Sequence, residues 1–250
     1  MKAPPKAIYD YYTSLYLKKN LFDDKFILGS LQYKHVIIKH LYFYQRLTMF
    51  TGLIREFAEV LSFSNAILKL KAQYKPKIGD SIAVNGACLT VIELFEGGFS
   101  VELSLESRNL LALENYKGRV HIEPALALGD RLDGHMVQGH VDCVGVIEKL
   151  TQKENGLDIE ISLPETFLKF VVPKGSICID GVSLTLNDVF EKGFRLTIIP
   201  HTLEQTLICS YKVGRRVNIE TDMFARYIYH MFKPQKGLDW ASVDRIMALY

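Results

Sequence analysis

Two pairs of small polar residues occupy matching places in the chain. Cys88 and Thr90 form the first pair, and Ser183 and Thr185 follow at an offset of 95 residues. Residues two apart on a strand point to the same face, so each pair would present two hydrogen-bonding groups side by side. Threonine also favours strands for packing reasons alone, which leaves ordinary strand residues as the alternative. We interpret the pairs as parts of two related pockets for a polar ligand.

Residues near these pairs could move protons. His135 and His140 surround residues 136–139, and histidine is a natural base near neutral pH. The alternative for both histidines is a structural turn with a satisfied imidazole. A metal ion is not expected, because this spacing of two histidines has no third ligand. Asp180 precedes a glycine and could handle a proton or simply form a turn, whereas its counterpart Asn85 cannot exchange a proton.

The polar pairs lie in two copies of one sequence. Residues 81–91 and 176–186 are identical at five of 11 positions. The repeat is near 90 residues long, so each copy is large enough to form a domain of its own. Two further anchors keep the copies in register, namely Met-Phe-Thr-Gly at 49–52 with Met-Val-Gln-Gly at 136–139, and Val-His-Ile-Glu at 120–123 with Val-Asn-Ile-Glu at 217–220.

Within each copy the pattern is that of β structure. Asn-Gly at 85–86 and Asp-Gly at 180–181 are strong hairpin signals. Residues 158–163 alternate between apolar and polar side chains, as a half-buried strand does. Many short strands with turns between them favour a closed barrel or a sandwich.

Helices are expected at a few places only. Short helices should begin at Pro164 and Pro200, because proline suits the first helical turn. A longer helix is predicted over residues 223–232, capped by Thr221 or Asp222. It would carry an apolar face that needs a partner, formed by Phe224, Ile228, Met231 and Phe232. A last short helix could lie within residues 239–250.

These elements predict a mainly β protein with two tandem domains, at 49–135 and 136–220, and a helical segment at 221–250. Residues 1–48 match neither copy, and three interpretations are open. They could be a poorly ordered extension, the product of a start codon placed ahead of the true start at Met49, or a functional appendage.

Composition restricts the class of protein. The net charge of +2 argues against a nucleic-acid-binding barrel. No apolar run reaches the roughly 20 residues of a membrane helix, and no signal peptide opens the chain. The four cysteines match no zinc pattern, so we expect reduced thiols in a cytoplasmic protein that contacts neither membrane nor nucleic acid.

Five segments, at 49–54, 84–91, 134–141, 179–185 and 199–204, resemble the motifs of riboflavin synthase. The resemblance runs in order from residue 49 to about residue 232. It implies two six-stranded Greek-key barrels and a C-terminal helix that holds three chains together. It also implies a transferase reaction without a cofactor, in which one 6,7-dimethyl-8-ribityllumazine gives four carbons to another. The products would be riboflavin and 5-amino-6-ribitylaminouracil, and an association with lumazine synthase is left open.

The resemblance also implies site residues. One substrate would lie on the N-terminal barrel of one chain and the other on the C-terminal barrel of a neighbour. A catalytic role falls on Cys88, His140, Asp180, Ser183 and Thr185. Substrate contacts fall on Gly52, Leu53, Ile54, Cys88, Leu89, Thr90, Glu102, Leu103, Ser104, Leu105, Glu106, Ser107, Gly139, His140, Val141, Lys174, Ser183, Leu184, Thr185, Ile199, Pro200, His201, Thr202, Leu203 and Glu204.

Some features depart from that pattern or admit other functions. Leu-Glu-Ser at 105–107 replaces the family's Pro-Glu-Thr, which affects the contacts of the first pocket. The main alternative function is a non-catalytic lumazine- or flavin-binding protein of the same fold. Both copies keep their polar pair, which favours the enzyme. The copies differ at matching positions, so we expect two pockets with unlike roles.

Overall fold

Two closed β-barrels follow one another along the chain. The computed structural model describes residues 48–232. Barrel 1 is antiparallel with the strand order β1-β2-β5-β4-β3-β6, and β6 pairs with β1 to close it. Its strands are β1 (Glu56–Ser64), β2 (Ile67–Lys71), β3 (Ser81–Val84), β4 (Ala87–Phe95), β5 (Gly98–Glu102) and β6 (Arg119–Pro124).

Barrel 2 repeats this topology. Its strand order is β10-β11-β8-β7-β12-β9, which is the same cyclic order once each strand is matched to its counterpart in barrel 1. The strands are β7 (Cys143–Lys153), β8 (Gly156–Ser162), β9 (Ser176–Ile179), β10 (Val182–Phe190), β11 (Gly193–Ile198) and β12 (Arg216–Thr221). The prediction of two six-stranded barrels is therefore confirmed.

Three of the four α-helices within residues 48–232 lie at the predicted places. Helix α1 (Leu105–Leu110) follows β5 and is not among the predicted helices. Helix α2 (Glu165–Leu168) begins directly after Pro164, and α3 (Pro200–Gln205) begins at Pro200, both as predicted. The C-terminal helix α4 (Met223–Phe232) has the predicted bounds, and Asp222 caps it by accepting a hydrogen bond from Phe224 N–H at 2.7 Å. None of the helices within residues 48–232 combines the length and apolar character needed to cross a membrane. The predictions for 1–47 and for 239–250 lie outside the described residues.

Each barrel has its own apolar core. Phe99 fills barrel 1 and Phe194 fills barrel 2, each with no exposed surface. Burial of such a side chain contributes about 2–3 kcal/mol. A smaller cluster lies between the barrels and consists of Phe50, Ala83, Val137 and Cys178. The two barrels thus share a packed junction.

The two predicted hairpins meet at this junction. Asn85 and Gly86 connect β3 to β4 with φ values of 43° and 81°, and Asp180 and Gly181 connect β9 to β10 with 45° and 87°. These positive values are those of the predicted tight turns. A Cβ atom on Gly86 would lie 2.7 Å from the Gly181 nitrogen. Glycine is therefore required both by the turn and by the close approach of the barrels.

Candidate functional site

The segments that begin the two copies cross over to the opposite barrels. Phe50 and Val137 lie side by side and exchange backbone hydrogen bonds of 2.7 and 3.1 Å. Beyond this bridge, the first segment reaches barrel 2, where Ile54 packs against the core. The second segment reaches barrel 1, where Val141 packs against the core. Each barrel is therefore completed by residues from the other copy.

This crossing brings a glycine against each predicted polar pair. Ser183 N–H donates to Gly52 O at 2.8 Å, and Cys88 N–H donates to Gly139 O at the same distance. A Cβ atom on either glycine would lie 2.6 Å from the Cβ of its Ser or Cys partner. We call these two places the Ser183 site (Gly52, His135, Ser183 and Thr185) and the Cys88 site (Cys88, Thr90, Gly139 and His140).

The Ser183 site contains a hydroxyl paired with a base. His135 Nδ1 lies 2.7 Å from Ser183 Oγ. Burial lowers the pKa of His135, although the charge of Asp222 acts against this shift, so the imidazole is neutral at pH 7. A neutral imidazole on a hydroxyl can accept its proton. Backbone contact with residue 51 holds the histidine, because His135 N–H donates to Thr51 O at 3.1 Å.

The Cys88 site contains a protonated thiol. Burial raises the pKa of Cys88, the hydrogen bond with Ser81 lowers it by less, and the charge of Glu220 raises it further. Cys88 therefore acts as a weak hydrogen-bond donor rather than as a thiolate nucleophile. His140 lies at this site with an exposed side chain, and its backbone N–H donates to Glu220 Oε2 at 3.1 Å.

Two buried glutamates hold the crossing segments in place. The Glu123 carboxylate accepts from Thr51 N–H, Thr51 Oγ1–H and Gly52 N–H at 2.7, 2.7 and 3.0 Å. The Glu220 carboxylate accepts from the N–H groups of residues 138, 139 and 140 at 2.7, 2.8 and 3.1 Å. Burial raises the pKa of both, and that of Glu220 to about 7. Sequence reasoning assigned them no such role, although their matched positions in the repeat were a signal.

Asp180 lies away from both sites, in the junction between the barrels. Its side chain has no exposed surface, and it accepts from Asn218 N–H at 2.8 Å and from the Tyr211 hydroxyl at 2.7 Å. Arg215 Nη2 lies 3.6 Å from the same carboxylate. These contacts serve the hairpin and the junction, so the predicted proton-handling role of Asp180 stays a prediction that its surroundings do not support.

The remaining predicted residues divide into buried and exposed ones. Leu89 and Leu103 are core residues of barrel 1, so their side chains face inward. Ser104 caps α1 by accepting from Ser107 N–H at 3.0 Å, and Lys174 lies exposed in a turn with φ of 65°. Four of the predicted residues are half-buried, namely Leu53, Leu184, Thr202 and Leu203. Nine are exposed, namely Thr90, Glu102, Leu105, Glu106, Thr185, Ile199, Pro200, His201 and Glu204. Within residues 48–232, no three His, Cys, Asp or Glu side chains are grouped to hold a metal ion.

Comparison with known proteins identifies the repeat. The lumazine binding domain family matches residues 51–125 and 138–222. The riboflavin synthase of Photobacterium phosphoreum is 42% identical over 173 residues, covering 67% of this chain and 79% of that protein. Those of Mycobacterium tuberculosis and Bacillus subtilis are both 37% identical, covering 74% and 72% of this chain and 98% and 88% of their own lengths.

Solved structures agree in fold. The crystal structure of LumP complexed with riboflavin has a TM-score of 0.62 at 18% identity, and it covers 69% of this chain and 98% of LumP. LumP complexed with 6,7-dimethyl-8-(1'-D-ribityl) lumazine gives a TM-score of 0.60 at 17% identity. The tandem domain match and the curated relatives together show that the chain belongs to the riboflavin synthase family.

Proposed function

We propose that this chain is a riboflavin synthase, which converts two molecules of 6,7-dimethyl-8-ribityllumazine into riboflavin and 5-amino-6-ribitylaminouracil. One observation carries the proposal: the repeat builds two equivalent sites in one chain, each formed by a polar pair and the crossing segment of the other copy. A reaction between two identical molecules needs two such sites. Holding both molecules in a reactive arrangement is itself a large part of the catalysis.

The two sites differ in the chemistry that they offer. One lumazine must lose a methyl proton and become a carbon nucleophile, while the other must accept that nucleophile on its ring. The Ser183 site offers a neutral imidazole hydrogen-bonded to a hydroxyl, 2.7 Å apart, which suits proton removal. The Cys88 site offers a protonated thiol, which suits donation to a ring that gains electrons. We therefore assign the molecule that loses the proton to the Ser183 site.

The transfer needs no atoms beyond those of the two substrates. Two methyl carbons of one molecule form carbon–carbon bonds with two ring carbons of the other, and the two carbon–nitrogen bonds that held those ring carbons break, which moves four carbons. The methyl protons removed in these steps return to the nitrogen atoms of the leaving diaminouracil, so the pair at the Ser183 site acts in turn as a base and as an acid. Both ribityl chains offer hydroxyl groups to the exposed polar residues of the sites, Thr90 and Thr185.

A second chain is proposed to complete each site. Thr90, His140 and Thr185 are exposed on the single chain, so a lumazine bound there would keep one open face. The apolar face of α4 is open too, and a homotrimer formed through it would bring neighbouring sites together. A cytoplasmic location agrees with the four free cysteines, and an association with lumazine synthase rests on the family alone.

The test is turnover of lumazine by the purified full-length chain without added metal, nicotinamide or flavin. Riboflavin fluorescence should rise while two lumazines disappear for each riboflavin formed. Saturable binding of lumazine without any product would instead assign the chain to the non-catalytic binding proteins of this fold. A strict requirement for a dialysable cofactor would also contradict the proposal.

A further inference from the structure

One arginine of the C-terminal helix forms polar contacts with barrel 2 and with the segment that crosses to barrel 1. Arg226 of α4 forms an ion pair with Asp142 at 2.7 Å and donates to Gln138 Oε1 at 3.0 Å. The nitrogen that donates to Gln138, Nη2, also lies 3.7 Å from Glu220 Oε1, whereas Nη1 contacts Asp142. The arginine side chain is 23% exposed and Glu220 only 3%, so both ion pairs are shielded from bulk water. The helix therefore contacts the same carboxylate that holds residues 138–140.

A continuous chain of contacts leads from this arginine to the Cys88 site. Glu220 accepts from Gly139 N–H at 2.8 Å, and Gly139 O accepts from Cys88 N–H at 2.8 Å. The next residue, His140, is held by the same carboxylate through its own N–H. A displacement of Glu220 would therefore move two residues of the Cys88 site together.

Among residues 48–232, α4 reaches the Ser183 site only through the charge that its cap Asp222 exerts on His135, and no chain of hydrogen bonds leads there from an arginine of the helix. Glu123 holds residues 51 and 52 in the same way, but the repeat puts Gly129 at the position that corresponds to Arg226. The charge acting on Glu123 comes instead from Arg55, which precedes β1. The contact between an arginine of α4 and the glutamate that holds the crossing segment is thus found at the Cys88 site and not at the Ser183 site of the described chain.

We propose that Arg226 and Glu220 are positioning residues for the Cys88 site, through which the seating of α4 on barrel 2 sets the geometry of that site and not of the Ser183 site. The inference rests on the proposed function, because it assumes that the Cys88 site binds a lumazine or a flavin. Assembly through the open face of α4 would then be transmitted to ligand binding.

The electrostatics of Glu220 supply a readout that mere loss of stability would not change. Burial raises its pKa to about 7, the charge of Arg226 lowers it, and the charge of Asp142 raises it. The charge of Glu220 also raises the pKa of the thiols of Cys88 and Cys178. Without Arg226 the pKa of Glu220 rises further, and its carboxyl is protonated at neutral pH. A protonated carboxyl accepts fewer N–H groups, so the variant should differ most from the wild type just above pH 7, where only the wild-type carboxyl is ionised.

The experiment compares the full-length wild type with R226Q and follows the two sites separately. Riboflavin is the probe, and the rate at which a methanethiosulfonate reagent modifies Cys88 is measured by mass spectrometry at increasing riboflavin. Cys209 is exposed and serves as the internal reference in the same sample. A fluorescence titration of riboflavin gives the total number of sites per chain.

In the wild type we expect two riboflavin sites and protection of Cys88. In R226Q the concentration that protects Cys88 should rise by about tenfold at pH 7.5 and by less at pH 6, where the wild-type carboxyl is protonated too, while the second site keeps its affinity. R226K should restore part of the protection, because it keeps the charge but not the two-pronged contact. R216Q is the matched control, since it removes an exposed arginine paired with Glu114 at 3.2 Å and should change neither site.

The outcomes separate the two claims. Unchanged protection of Cys88 in R226Q would overturn the inference and leave the proposed function standing. Equal weakening of both sites, with no dependence on pH, would reduce Arg226 to a general structural role and also overturn the inference. A wild-type chain that binds neither riboflavin nor lumazine would overturn the proposed function, and the inference with it.

Discussion

At the scale of single residues, two buried side chains, one from each barrel, make reciprocal hydrogen bonds across the junction. His121 of β6 contacts Asp180 O at 2.8 Å through Nδ1 and accepts from Leu207 N–H at 2.7 Å through Nε2. Because a backbone N–H can only donate, Nε2 must be unprotonated and Nδ1 carries the hydrogen. Asn218 of β12 makes the reciprocal pair, donating to Asn85 O and accepting from Ala112 N–H, both at 2.9 Å.

This arrangement predicts an acid-sensitive junction. Burial lowers the pKa of His121 to about 4, against about 6.5 in the unfolded chain. The unfolded state therefore binds more protons between these values, and the contribution of His121 is lost as pH falls from 6.5 towards 4, by about 1.4 kcal/mol per pH unit. We expect the stability gap between wild type and H121N in urea to narrow between pH 7 and pH 5.

The raised pKa of Glu220 works in the opposite direction. Its folded-state pKa of about 7 exceeds the ordinary 4.5, so this group adds stability as pH falls through 7. The effect is common to wild type and H121N and cancels in the difference between them. A gap that stays constant or widens on acidification would show that His121 is not held neutral in the junction.

The pair of His135 and Ser183 carries the second prediction at this scale. H135Q should lower kcat by about 100-fold, with a smaller effect on KM, because it removes a base and keeps the fold. S183A should have a similar effect, and the double variant should be little worse than either single one, since the two groups act as a unit. Burial lowers the pKa of His135 below its ordinary 6.5. The activity of the wild type should therefore fall only as pH drops through that lowered pKa, where His135 becomes protonated.

Stopped assays of lumazine consumption from pH 5 to 8 would measure these values. An acid limb that persists unchanged in H135Q would assign the base elsewhere, with His140 the first alternative. Additive effects of the two single substitutions would likewise show that Ser183 and His135 do not act together.

At the scale of elements, the glycine of each junction hairpin has two functions that a substitution can separate. Gly86 has φ of 81° and faces the Gly181 backbone, whereas Gly97, in the turn between β4 and β5, has φ of 82° with nothing within 4 Å of an added Cβ. G97A should cost about 1 kcal/mol of stability from backbone strain alone. G86A should cost more, by about 2 kcal/mol, because the barrels must also separate.

Thermal unfolding of the two variants side by side checks this difference. Equal losses of stability in G86A and G97A would mean that the barrels can separate at no cost, and that their close approach does not depend on Gly86. The matched φ values make the comparison specific for the contact between the hairpins.

At the scale of the whole molecule, the open face of α4 predicts assembly. Phe224, Ile228, Met231 and Phe232 are 54–79% exposed and recur at helical spacing, while Tyr229 on another face packs edge-on against Phe170. I228D should convert the expected trimer to a monomer and reduce turnover more than tenfold, because neighbouring chains complete the sites. L61D alters a comparably exposed residue of β1 and should leave both the assembly and the turnover intact.

Sedimentation velocity with parallel activity assays provides the measurement. A stable wild-type monomer with full activity would contradict the predicted trimer. A trimer that persists in I228D would assign the interface to another surface.

The sequence by itself determined the duplication, the β structure of both copies and three of the helix positions, while the six-stranded barrels followed from the family resemblance. Period-two alternation, Asn-Gly and Asp-Gly turns and a capped helix are signals carried by adjacent residues, so they can be interpreted without knowing what packs against them. The matched pairs at Cys88 and Ser183 follow from the repeat in the same way. These local signals predicted the bounds of α4 and the turns of both junction hairpins.

Only the tertiary structure decided how the two copies combine. Residues 52 and 139 lie against the opposite barrels, His135 rather than His140 touches Ser183, and Asp180 is enclosed in the junction. Each of these outcomes depends on contacts between residues that are 31 or more positions apart in the sequence. The shape and polarity of whole barrel surfaces determine which of these residues meet. A buried carboxylate such as Glu220, for example, is stable only where the packing brings N–H donors to it. No pattern of neighbouring residues encodes that choice.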